Sequence, residues 1–97
     1  MRRFIARGIV PPSGSEGFGL GVDNGDELRQ WWEKEKIETR LDVGRSGRPL
    51  LSVGGKSFID ACVPGDEVEY TIEPELRSNG RRGIRGVDLK VVKRRSG

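Results

Sequence analysis

The chain has 97 residues, enough for one domain with a modest core. Only 33% of it is hydrophobic and 15 residues are glycine, a composition that points to short strands and many turns. Lys and Arg outnumber Asp and Glu by 18 to 15, one cysteine excludes an internal disulfide, and the lack of histidine argues against a zinc site and removes the commonest general base.

Phe4 to Val10 reads as a first strand, ended by Pro11-Pro12. Arg7 and the two prolines break any apolar run after Arg2-Arg3, so no signal peptide is expected. Ser13 to Gly17 is a loop, and Phe18-Gly19-Leu20-Gly21-Val22 a short strand with Phe18, Leu20 and Val22 on one face. Its glycines permit close approach of another backbone or a ligand, but the P-loop Lys-Ser/Thr is missing.

Residues 24–36 form the one expected helix. Asn24 is placed to N-cap it, with Glu27 three residues on as in a capping box. Leu28, Trp31, Trp32 and Glu35 share a face, so tertiary packing has to hold this short helix. The Trp pair could stack on bases, but the large apolar area of a Trp and the acidic neighbours Glu33, Glu35 and Glu38 favour a core role.

Ile37, Thr39, Leu41 and Val43 alternate with Glu38, Arg40 and Asp42, which predicts a strand over the whole segment. A turn at Gly44 to Gly47 leads to a return strand from Arg48 to Val53. Gly54-Gly55-Lys56 turns again, and Ser57 to Val63 is a further strand or an irregular connection, with Cys62 as a small buried hydrophobe.

Pro64-Gly65-Asp66 is a tight turn. The strand after it carries Val68, Tyr70 and Ile72 on one face and Glu67, Glu69, Thr71 and Glu73 on the other, and Pro74 is expected to end it. Ser78-Asn79-Gly80 marks a hairpin turn within a long, mobile, arginine-rich tip. Gly83 to Val92 returns with Val87, Leu89 and Val91 on one face. The expected fold is mainly β: a five- to six-stranded barrel, OB-like or SH3-like, spanning residues 1–93 with one short helix and a frayed basic tail at 94–97.

Charge is segregated along the chain. Residues 66–75 carry only acids, whereas residues 77–97 carry eight basic residues and one acid. Such a basic segment suits a polyanion. The candidate nucleic-acid contacts are Arg77, Arg81, Arg82, Arg85 and Lys90 on the last hairpin, Arg7 on the first strand, Phe18, and Arg45, Arg48 and Lys56 in the middle turns. Asp60, Asp66 and Asp88 have no nucleophile or base at a recognisable spacing, so no catalysis, metal or cofactor is expected. A monomer or homodimer in a reducing, cytoplasmic setting fits the single cysteine.

Two family resemblances meet in this pattern. Gly8-Ile9-Val10, Gly17-Phe18-Gly19-Leu20, the turn and strand from Pro64 to Ile72, and Gly83 to Val91 resemble cold-shock-type OB-fold domains in their order. The resemblance implies base stacking at Phe18, while Leu20 stands where that family has an aromatic and the helix from Asn24 is an insertion. Val43 to Leu51 followed by Pro64 to Tyr70 resembles the swapped-hairpin, AbrB-type DNA-binding domains.

Three functions follow as expectations. The first is a barrel that binds single-stranded DNA or RNA through arginine-phosphate contacts and stacking. The second, implied by the AbrB-type likeness, is a dimeric duplex-DNA regulator in which Arg45 and Arg48 reach base edges. The third is a protein-interaction or structural module of a larger assembly, docking through its bipolar charge.

Overall fold

Six strands and one helix are built from residues 3–10, 19–44, 47–52 and 65–94, which are the residues the computed structural model describes. In chain order they are β1 (Phe4–Ile9), β2 (Gly19–Val22), α1 (Gly25–Lys34), β3 (Asp42–Val43), β4 (Pro49–Ser52), β5 (Glu67–Leu76) and β6 (Arg82–Lys93). All strand pairs are antiparallel, in one sheet of order β3-β4-β2-β1-β5-β6. The expected mainly β class with one helix is therefore present. Among the described residues β3 and β6 are the two edges, with no ladder between them. The expected strand or connection at 57–63, with Cys62, lies outside the described residues.

β5 shows why the pattern folds this way. Val68, Tyr70 and Ile72 are buried at alternate positions, while Glu67, Glu69, Thr71 and Glu73 take the outer face. Burial of one face at period two is what an alternating strand achieves against a core. Ala6 on β1, Leu20 and Val22 on β2 and Leu51 on β4 complete the sheet's inner surface. Leu28 and Trp31 of α1 close over it, with the Trp31 ring 5.7 Å from that of Phe4. Trp31 is thus core, and Trp32 is half-buried with its indole N–H donated to the Thr39 carbonyl at 2.9 Å.

Three expectations about the strands are corrected. Pro74 does not end β5, which runs on to Leu76. β1 stops opposite Ile72, so at Pro74 β5 is paired only with β6, and a missing N–H can face the unpaired side. The expected strand at 37–43 is reduced to Asp42–Val43: the Ile37 N–H closes the helix end on the Trp32 carbonyl and the Glu38 N–H goes to the Arg82 carbonyl of β6, so the β3-β4 ladder begins only at Asp42. On β6 the inward set is not one alternation. Register shifts leave Val87 and Val92 unmatched, so Ile84 and Gly86 face in before the first shift, and Leu89 and Val91 after it. A bulge adds one residue and so moves the following side chains to the other face.

The hairpin tip is short rather than extended. The Arg77 N–H donates to the Arg81 carbonyl and the Gly80 N–H to the Arg77 carbonyl, with Gly80 at φ 82°. Asn79 Oδ1 accepts from the Arg81 N–H at 2.9 Å.

α1 is held at both ends by contacts that its own sequence does not advertise. Asn24 makes no side-chain cap. Its Oδ1 accepts from the Arg7 N–H at 2.9 Å and its Nδ2 donates to the Ile5 carbonyl at 3.0 Å. The side chain amide thereby continues the β1 ladder beyond Val22, where β2 has left the sheet, and ties the helix start to β1. At the other end Lys36 N–H donates to the Glu33 carbonyl and Ile37 N–H to the Trp32 carbonyl. This is a Schellman arrangement, with Lys36 at φ 55° where glycine is usual. Gly8 is needed for a different reason. A Cβ there would run into the Gly21 carbonyl oxygen of β2, so any larger residue has to push the two strands apart.

Two stability changes follow. Asn24→Ala strands the Arg7 N–H and the Ile5 carbonyl, and is expected to cost about 1–2 kcal/mol in urea unfolding with an unchanged m-value. Lys36→Gly relieves a left-handed backbone and is expected to add up to about 1 kcal/mol, against the ordinary rule that glycine weakens a helix.

Candidate nucleic-acid interface

The outer face of the sheet brings the segregated charges together and cancels them. β5 lies between β1 and β6, so its acids meet cations on both sides. Arg7 pairs in register with Glu69, and Glu69 with Lys90. Arg7 Nε is 3.2 Å from Glu69 Oε2. Two outer positions along, past Thr71, Arg3 Nε lies 3.3 Å from Glu73 Oε2, and Arg85 forms an ion pair with the same carboxylate from β6. At the far end Glu67 is matched by Lys93. These three ion pairs are exposed and individually weak, but with Lys90 and Lys93 in register opposite Glu69 and Glu67 they leave this face with little net charge to offer a polyanion.

Arg85 donates from Nε and Nη2 to Glu73 Oε1. That hydrogen bonding holds the Glu73 carboxyl below its ordinary value of 4.5; partial desolvation opposes the shift and Arg3 adds to it. Burial raises the Tyr70 hydroxyl above its ordinary 10.0.

The remaining candidate contacts fall in separate places. Arg48 is 2.9 Å from Asp23 beside the helix start, far in the ladder from the last hairpin. Arg82 is structural: its Nε donates to the Glu35 carbonyl and its Nη2 lies 3.1 Å from Glu35 Oε1. It thus places a cation on the helix C-terminus, where the dipole favours one. The Arg82 main chain also receives the Glu38 N–H at its carbonyl (2.8 Å) and donates its own N–H to Glu38 Oε2 (2.7 Å). These bonds join the segment before β3 to the start of β6 and draw the two ends of the sheet towards each other. Arg81 is exposed at the tip, and among the described residues neither Arg77, Arg81 nor Lys90 has a carboxylate within ion-pair distance. Phe18, Arg45 and Lys56 lie outside the described residues.

Between the facing ends of the sheet is a cleft of about 350 Å³. Its walls are apolar, from Leu41, Leu51 and Ile84, and aromatic, from Trp32 and Tyr70. Arg40, Arg77 and Asp42 supply its charges. The cleft owes part of its shape to Gly86, since a Cβ there would overlap the Tyr70 hydroxyl. Arg40 likewise has no carboxylate partner among the described residues. Sequence reasoning missed Arg40 and Asp42 because both read as solvent-facing positions of a strand.

The charge ladder gives a pH prediction. A carboxyl whose folded pKa lies below its unfolded value adds stability above that value and loses it as pH falls through the folded pKa. Glu73 is therefore expected to titrate below 4.5 by carboxyl NMR, to move upward in Arg85→Ala, and in Glu73→Gln to remove its share of the stability lost on acidification below about pH 4.5.

No family model, curated protein or solved structure matches this chain in any of the three comparisons.

Proposed function

We propose that the protein binds single-stranded nucleic acid in the cleft between the ends of the sheet. The observation that carries this reading is the pairing of two guanidiniums, Arg40 and Arg77, which among the described residues lack carboxylate partners, with an aromatic wall that includes half-buried Trp32. Sequence-tolerant single-strand binding needs these two parts together: cations that follow the backbone and flat faces for unpaired bases. An intact duplex offers no unstacked base to such a cleft. On this reading the Glu38–Arg82 seam closes the coiled sheet as an OB-like barrel would be closed, and the protein is non-catalytic.

The reading moves the contacts away from the outer face. Arg85 and Arg7 are already balanced by Glu73 and Glu69, whereas Arg40 and Arg77 have charge to give. Fluorescence anisotropy with labelled single-stranded and duplex DNA over a salt series tests it. Arg40→Ala and Arg77→Ala are each expected to lower the salt slope by about one unit and to weaken binding, while Arg7→Ala and Arg85→Ala leave the slope nearly unchanged. If the Arg40/Arg77 double variant keeps the wild-type slope, the cleft is not the site. Absence of any binding at low salt would remove the nucleic-acid function and favour a protein-docking module.

A further inference from the structure

The cleft contains one group that a simple phosphate-binding groove would avoid. Asp42 lines it together with Arg40 and Arg77, and among the described residues its carboxylate has no ion-pair partner. A carboxylate repels phosphate, so its presence weakens any purely electrostatic site. It accepts hydrogen bonds only, and can take two at once from a neighbouring pair of donors. The cleft therefore combines three features: cations for an anion, flat apolar walls for a ring, and an acceptor for N–H groups. Its volume of about 350 Å³ lies at the small end of pockets that enclose a ligand, and suits a single base rather than a stack.

We infer that the cleft is a base-selective subsite, in which Asp42 accepts from the N–H donor edge of one unpaired base while Arg40 and Arg77 hold its flanking phosphates; this rests on the single-strand reading above. Guanine, with adjacent N1–H and N2–H donors, satisfies both carboxylate oxygens. Cytosine and adenine offer one amino group. Thymine and uracil present a lone N–H between two carbonyl oxygens, which face the carboxylate unfavourably. The expected preference is guanine first, then cytosine and adenine, then thymine or uracil.

The test uses the full chain with the trinucleotides TGT and TTT and with free guanosine 5′-monophosphate, followed by Trp fluorescence, because Trp32 lines the cleft. Wild type is expected to bind TGT about tenfold more tightly than TTT, the scale of one good bidentate base contact. Asp42→Asn exchanges an acceptor for a mixed donor and acceptor without changing size. It is expected to bring TGT and TTT within about twofold of each other, and to bind TTT no worse than wild type because a repulsive charge has gone. Equal binding of TGT and TTT by wild type would overturn base selection while leaving single-strand binding standing. Guanosine 5′-monophosphate binding as tightly as TGT would support the base contact and overturn the single-strand reading. Binding of none of the three at low salt overturns both. A retained tenfold preference in Asp42→Asn, with unfolding midpoint unchanged, would show that another group reads the base.

Discussion

The double pairing of β5 is the constraint on which the rest depends. It is the strand that connects the first part of the chain, through β1, to the last hairpin, through β6. Its inner row, Val68, Tyr70 and Ile72, sits at the centre of the core. Its outer row is acidic, and the strands on both sides place cations against it. Buried apolar area provides the larger share of stability, and the flanking charges set register and partner choice. A one-residue slip would move Tyr70 to water and break the charge ladder at once, so both faces specify the same alignment.

The helix is the second device, and it acts at a distance from its own sequence. Asn24 anchors its start to β1 by imitating a strand residue, and Arg82 receives its end on β6. The helix therefore spans from one part of the sheet to another and brings the segment 37–42 against the start of β6. The cleft is a consequence of that span. Its aromatic wall comes from the helix and β5, and its cations from the two segments that the seam brings close.

This arrangement separates two kinds of arginine that look alike in sequence. Arg7, Arg48, Arg82 and Arg85 each spend their charge within the fold. Arg40 and Arg77 stand at a cleft without a carboxylate pair among the described residues, and Arg81 stands exposed at the hairpin tip. A partner that reads charge meets the second group first, because the potential of a compensated pair falls off quickly in water and is screened by salt. Counting basic residues along the chain does not distinguish the two groups.

The sequence by itself determined the mainly β class, the helix after Asn24, the β5 alternation and the turns at Gly65 and at Ser78 to Gly80. These follow from side-chain period and local backbone preference, which act within a few residues. It put Trp31 and Trp32 on one helical face with Leu28, and the structure alone decided that Trp31 is buried while Trp32 is half-buried. Tertiary structure alone decided where charges meet, because β1 and β5 are far apart in the chain and their pairing turns an acidic run and two basic runs into one neutral face. It decided that Asn24 bonds to β1 rather than caps its helix, since a strand that ended at Val22 left an unpaired Arg7 N–H within reach. It decided the parity of β6, because a bulge is a mismatch between two strands and is written in neither. The cleft residues Arg40 and Asp42 were hidden on the same ground: they come together with Arg77 only when the two ends of the sheet are drawn close.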